Sequence, residues 1–446
     1  MNKLRIISIA LICLLATTSV FGCSNNSSKE KKGDSKVFSE VEIKAQKLIN
    51  PWDDGPNDST RKAADGANDF AFNLSSALAK DMSDKNNNLV ISPFSVWLPL
   101  AALVNATDEA SKPALLEALG AAGISVDDIN SASSRMLFNL NKTDNEEFMG
   151  DNFHNPLKIA NAIFVGNNVT LKKDFAQAFM DYYRGTSINV DFSSKDAVEA
   201  VNKWASDNTE GLITDLVSEF EPDTIATIAN AIYYSDRWDW EFYKGDTKEG
   251  TFNSTVGENK ANFMLREGDA QTYYEDEKVQ AMPLTFANQG GLYIILPKDG
   301  DATGLLTTMT NDYFNEIIND SIQATGKLLL PRFKIDGAIT DLKNSLESLG
   351  VPLFDRNSAP LTGGLVEEDL YVWVDSALQK AMIEVNEEGT TAAAVTALGI
   401  AGNAMPLPTE PFEMICDKPF MFVLYDYTYD GGEQVLFTGI VNQIEG

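Results

Sequence analysis

The sequence predicts a mixed α+β fold in one long domain, and three observations carry that reading. Apolar residues recur at helical spacing in some segments and run as β-branched or aromatic blocks in others, the two kinds interleaved without an internal repeat. Several of those blocks are too continuously apolar for a sheet with one wet face, so the central strands are expected to be covered by helices. From about Asp65 to Gly446 the patterning is dense, with no linker or shift of composition, which makes residues 65–446 a single domain.

Ahead of that domain, Lys3 and Arg5 precede an apolar run from Ile6 to about Thr17 and then small residues, the layout of a secretory signal peptide over residues 1–22. The run is shorter than the ~20 residues of a membrane span. Val20-Phe21-Gly22-Cys23 resembles a bacterial lipobox, which would make an acylated Cys23 the first mature residue; the alternative is a secreted protein without lipid. Either way the chain is expected to be exported, at the cell surface or outside it. Residues 23–64, with SNNSSKEKKGDSK following Cys23, read as a lipidated Cys and a flexible tether.

Within the domain, Asn68–Met82 places Phe70, Leu74, Ala77, Leu78 and Ala79 on one helical face. Ser92 then caps a helix that has Pro93 in its first turn and runs on as SPFSVWLPLAALVNA. Residues 197–209 and 342–349 are further helices, the second closed by Gly350. Strands are expected at 157–165, 224–234, 290–297 and, as one long element, 370–385. FMFVLYDYT (420–428) and QVLFTGIVN (434–442) flank Asp430-Gly431-Gly432 as a hairpin.

The composition argues against several function classes. A formal charge of −30 leaves few cations for a phosphate-binding patch, so nucleic acid is not an expected partner. The chain has one histidine, His154, in an FHNP loop context, and three cysteines, of which Cys13 lies in the leader and Cys23 at its end. Cys416 is left in a buried-strand pattern without a CxxC spacing, so neither a metal site nor a Cys–His pair is expected. Ser59-Thr60-Arg61-Lys62 matches SxxK by chance, in the tether. Paired acids such as Glu367-Glu368 read as solvated turns, and no Gly-rich phosphate loop is present. No cofactor or metal is expected, and a lipid-anchored hydrolase is the weakest of the readings.

Two motifs near the C-terminus point elsewhere. MICDKPFMFVL (414–424) fits the signature of the serpins, the suicide protease inhibitors, with Asp417, Lys418, Pro419 and Phe420 at its centre. Upstream, Glu387, Glu388, Gly389, Thr390, Thr391, Ala392, Ala393 and Ala394 resemble the family's loop hinge. NLVISPFSVWLPLAAL (88–103), VNKWASDNTEGLITDL (201–216), IANAIYYSDRWDWEF (228–242) and LLLPRFKIDG (328–337) resemble serpin segments as well, so the similarity runs from about Asp65 to Gly446. It implies the serpin fold: a large central mixed or antiparallel sheet, about eight to nine helices, and an exposed reactive-centre loop at about 387–411. It also implies a sheet-opening region with Ser92, Ser95, Asn230, Trp238 and Gln379. Serpins usually have His where Gln379 stands, and because Gln both donates and accepts, retuned rather than lost opening is expected.

The resemblance implies a monomeric inhibitor, not an enzyme, of serine or cysteine endopeptidases. Cleavage of its loop would let the loop insert into the main sheet with the protease still attached. The hinge residues suit this. Neither alternate set from Thr390 to Ala401 contains a charge or a Pro, and either could face a core. Counting from the hinge puts the bait bond at Asn403–Ala404, with Ala404–Met405 as rival; counting back from Pro419 lands nearer Pro408, because the loop is a few residues longer than usual. With no Arg or Lys between Gly389 and Cys416, elastase-like or subtilisin-like targets are expected. The alternative within the family is a non-inhibitory binding or structural lipoprotein.

Overall fold

The structure is a computed structural model describing residues 6–16, 58–140, 157–221, 223–390, 411–428 and 432–444. The N-terminal apolar run forms strand β1 (Ile6–Ala16), and helix α1 (Asp58–Asp81) opens the body of the fold. Strand β2 (Leu89–Ile91) leads into α2 (Pro93–Leu103), followed by α3 (Lys112–Ala118) and α4 (Val126–Leu140). Next come β3 (Leu157–Gly166), α5 (Lys173–Tyr183), β4 (Gly185–Val190), α6 (Lys195–Asn208) and β5 (Thr224–Tyr234). Strands β6 (Lys248–Ser254), β7 (Gly257–Glu275), β8 (Val279–Thr285) and β9 (Gly291–Pro297) pair antiparallel in succession. After α7 (Ala302–Thr308) and α8 (Asn311–Asn319) the chain runs through β10 (Ile322–Pro331), β11 (Phe333–Asp336), β12 (Thr340–Asp341) and α9 (Lys343–Ser348). Strands β13 (Tyr371–Lys380), β14 (Met382–Val385), β15 (Phe412–Ile415), β16 (Phe420–Thr428) and β17 (Gly432–Val441) complete it.

One sheet has the strand order β12-β13-β1-β5-β3-β4. In it β1 is parallel to both β13 and β5, so those two strands share a direction and stand apart by one strand's width. A second sheet runs β15-β10-β7-β8-β9-β16-β17-β2, with β6 on β7, and β11 pairs with β14 in a third.

The first sheet is buried on both faces, which is why its strands lack polar alternation. Along β3 and β5, Ile163, Val165, Ile228, Ile232 and Tyr234 face the main core. Their neighbours Ala162, Phe164, Ala229, Ala231 and Tyr233 form a second core with Ala197, Val201 and Ala205 of α6. Helix α2 is buried throughout, and Ser92 caps it by accepting the Ser95 N–H at 3.3 Å.

Most expected elements are present. Strand β5 spans residues 224–234, and β16 pairs antiparallel with β17 from Phe420↔Val441 to Thr428↔Gly432. Nine α-helices occur among the described residues. Two expectations shift. The 370–385 run is two strands, because it breaks at Ala381, whose carbonyl accepts the Gly337 N–H at 2.9 Å, and β14 leaves for a different partner. Helix α1 begins at Asp58, inside the stretch read as tether, so Ser59–Lys62 are helical. The apolar run read as the core of a signal peptide lies in the first sheet as β1.

Candidate functional site

The hinge is held where the gap between β5 and β13 opens. Beyond β14 the chain turns back, with the Asn386 N–H on the Gly389 carbonyl at 3.1 Å, and Gly389 bridges antiparallel to Arg237 just past the end of β5. Gly389 adopts φ +150°, and a Cβ there would collide with the Asp236 carbonyl and the Arg237 Cα, so both conformation and space require glycine. Thr390 is 0% exposed. Its N–H donates to the Asp236 carbonyl at 2.9 Å, and its hydroxyl oxygen accepts the Asp236 N–H at 3.2 Å. The first residue of the small, neutral run is therefore already seated at the mouth of the sheet.

Segment 238–247 clamps the residues before it. The Trp238 N–H donates to the Glu388 carbonyl at 2.9 Å, the Phe242 N–H to the Glu387 carbonyl at 3.0 Å, and the Trp238 indole to the Asn386 carbonyl at 2.9 Å. Trp238 stacks on Phe286 with ring centroids 4.8 Å apart. Glu387, 2% exposed, accepts three hydrogen bonds from Arg332, Nε to Oε1 at 2.9 Å and to Oε2 at 2.8 Å and Nη2 to Oε1 at 2.5 Å, and one from Thr247 Oγ1 at 2.5 Å. Burial works against its charge, but the bonds from Arg332 and Thr247 outweigh burial and hold the carboxyl below its ordinary range. Glu388, more exposed, pairs with Lys244. Beneath this segment Arg266 lies under the Phe242 ring at 4.5 Å and donates to the Trp240 carbonyl; burial lowers its pKa to about 10, against the pull of Asp239.

Farther along the gap sits a neutral polar cluster. Gln379 on β13 spends both ends of its amide on the backbone of Ser92, accepting the N–H at 3.1 Å and donating to the carbonyl at 2.9 Å. On the other side Ser95 Oγ donates to Asn230 Oδ1 at 2.5 Å, Asn230 Nδ2 to Asn161 Oδ1 at 2.7 Å, and Asn161 Nδ2 to the Tyr183 carbonyl at 2.7 Å. Across the gap Asn230 and Gln379 are both register partners of Cys13 in β1. Helix α2 thus ties down both banks through its N-terminal turn, one through Ser92 and the other through Ser95.

Four of the expected opening residues, Ser92, Ser95, Asn230 and Gln379, come together here, while Trp238 lies apart at the mouth with Glu387–Thr390. Thr391, Ala392, Ala393, Ala394, the bait candidates Asn403, Ala404 and Met405, His154 and Cys23 lie outside the described residues. Cys416 is buried in the core, where burial pushes its thiol up, out of nucleophilic range. No group of three or more metal-ligating side chains occurs among the described residues. Arg332, Thr247, Asp236 and Asn161 were not singled out from the sequence. Arg332 and Asp236 lie in the resembling segments LLLPRFKIDG and IANAIYYSDRWDWEF, and Asn161 in the strand expected at 157–165, but their side-chain roles left no signal.

The comparisons identify the family. The family described as "Serpin (serine protease inhibitor)" matches residues 65–444. The chain is similar to an antitrypsin of Bombyx mori, 31% identical over 84% of this chain and 92% of that one, and to antichymotrypsin-2 of the same organism, 30% identical over 84% and 96%. It is also 28% identical to an uncharacterized serpin-like protein of Methanosarcina acetivorans over 96% of each chain. Among solved structures, tengpin, a thermophilic serpin in its native state, superposes with a TM-score of 0.71 at 24% identity, covering 91% of this chain and 98% of that one. An Arabidopsis serpin in the native stressed conformation gives 0.71 at 26% identity over 86% and 98%. With the family model covering residues 65–444 and relatives at 30% identity or more over most of their length, the chain belongs to the serpin family.

Proposed function

We propose that this serpin is an inhibitory one, an irreversible suicide inhibitor of elastase-like or subtilisin-like serine endopeptidases, with cysteine endopeptidases of similar preference as further targets. The observation that supports the reading best is the hinge. Thr390 is buried at the mouth between two parallel strands, and the residues that follow it to Ala401 carry neither charge nor Pro. The antiparallel Gly389–Arg237 bridge aims the following chain back along β5.

In the proposed cycle the protease serine oxygen adds to the carbonyl carbon of Asn403. The bond to Ala404 breaks, the leaving amine takes a proton through the protease's own base, and Asn403 remains esterified to the enzyme. Residues Thr390 to Asn403 then enter between β5 and β13. Roughly 14 residues at ~3.3 Å span ~45 Å, more than the ~36 Å of an 11-residue strand such as β5, so the ester is carried past the far end of the sheet. The protease is distorted before water can cleave the ester, and the uncleaved inhibitor is a kinetically trapped state.

The N-terminal pattern supports export, with a lipid on Cys23 holding the tethered domain at the membrane. The mass of the mature N-terminal peptide tests that. For the inhibitor, the test is incubation of the chain lacking residues 1–22 with elastase and with subtilisin. A complex that survives SDS, with release of a peptide beginning at Ala404, is expected. Clean loop cleavage with full protease activity would instead place the protein among the binding members of the family.

A further inference from the structure

Only one strand fits between β5 and β13, and in this chain that place is taken. Strand β1 pairs with β13 from Ile6↔Tyr371 to Leu14↔Lys380 and with β5 from Ser8↔Thr224 to Ala16↔Tyr233. Both of its edges are used along nearly its whole length, so no hydrogen-bonding edge of β5 or β13 faces an open gap there. The segment IISIALICLLA is uncharged and free of Pro, the same chemistry that qualifies the loop. Its register partners Val374, Ala377, Ala226 and Ile228 are fully buried.

The two occupants differ in direction. β1 runs parallel to both neighbours, whereas the chain leaving Gly389 would run antiparallel to both. Parallel pairing is slightly weaker per residue, so the loop is the better strand once the place is free.

We infer that residues 6–16 autoinhibit the full-length chain: while they lie between β5 and β13 the cleaved loop cannot insert, and their removal creates the inhibitor. This rests on the proposed trapping function. A chain retaining its leader is then a substrate of the target protease. The leader that reads as an export signal would double as a plug, keeping the trap inactive until the leader is cut off.

The test compares two full-length chains expressed so that the leader is retained, the natural sequence and Ile9→Asp/Leu11→Asp, which puts charge on a strand flanked by buried residues. Hydrogen exchange is read on β5 and β13, and complex formation is read with elastase and subtilisin. The variant is expected to exchange at least about tenfold faster on those two strands and not on β16 or β17. It should form an SDS-stable complex, while the natural full-length chain is merely cleaved. A synthetic 6–16 peptide added to the variant should restore protection and abolish trapping. Should the double variant lose protection on β16 and β17 as well, Leu11→Pro, which removes a single strand donor, replaces it. Identical exchange in the two chains overturns the inference, as does equal trapping by both. If exchange differs as expected but neither chain traps any protease, the plug stands and the inhibitory function falls.

Discussion

The sheet is controlled at two places built from opposite chemistry. At its mouth the hinge is held by charge, in the Arg332–Glu387 pair with Thr247, and by backbone bonds from Trp238 and Phe242. At its centre the two banks are held by neutral amides and hydroxyls of Gln379, Ser95, Asn230 and Asn161. The mouth is half open to water, with Arg332 44% exposed on its side chain, and can carry ions; the centre is dry and cannot do so cheaply. A region that the proposed cycle would open thus avoids ionisable groups where they would have to be desolvated again. The charge sits instead where the loop departs.

The largest effect should come from putting charge into the path of the strand. Thr390→Arg places a guanidinium where the native side chain is fully buried against Asp236. In the chain lacking residues 1–22, insertion should stall and the proposed inhibitor should become a substrate, with inhibitor consumed per protease rising by more than about tenfold. Titrating protease activity against the variant measures it, and unchanged stoichiometry would contradict the seating of Thr390.

Next is Arg332→Ala, which leaves Glu387 buried with only Thr247 to bond. A loss of about 2 kcal/mol is expected from the bidentate charged bonds, read as a lower urea midpoint. The same clamp predicts a pH effect of smaller size. The folded-state pKa of Glu387 lies below its ordinary 4.5, so its stabilisation is complete above that value and disappears as pH falls through the lower folded one. The stability gap between the natural protein and Glu387→Gln should therefore narrow only under acid conditions. A gap that is constant down to pH 3 would mean the carboxylate contributes nothing through its charge.

Much of the centre was legible in the sequence, because strands buried on both faces show as continuous apolar runs and β5 is one. The start of α1 was hidden. It packs through small residues, Ala63, Ala64 and Ala67, with Gly66 against Gly120, while Asp58, Arg61, Lys62 and Asp65 give the segment a linker's composition. Strand β7 was hidden by polarity and by a bulge, where Gly268 at φ +111° coincides with the register shift opposite Thr325–Lys327. The clamp could not be read at all, since Arg332 and Glu387 are 55 residues apart and only the fold makes them partners.

The smallest effect concerns Gln379, and it tests whether the centre is meant to be insensitive to pH. Gln does not titrate, and its cluster partners Ser92, Ser95, Asn230 and Asn161 do not either, so between about pH 5 and 8 sheet opening should be flat with pH. Gln379→His adds an imidazole in a buried place with one donor and one acceptor to offer Ser92. Burial disfavours its charged form and lowers its pKa in the folded state below the unfolded value near ~6.5. The unfolded state then holds more protons, so the variant should lose stability as pH falls below ~6.5, by up to about 1.4 kcal/mol per unit of pKa difference, while remaining close to the natural protein at pH 8. Urea midpoints at pH 8 and pH 5 measure it. Parallel behaviour of the two proteins would show that the centre tolerates charge, and the contrast with the mouth would then rest on the hinge alone.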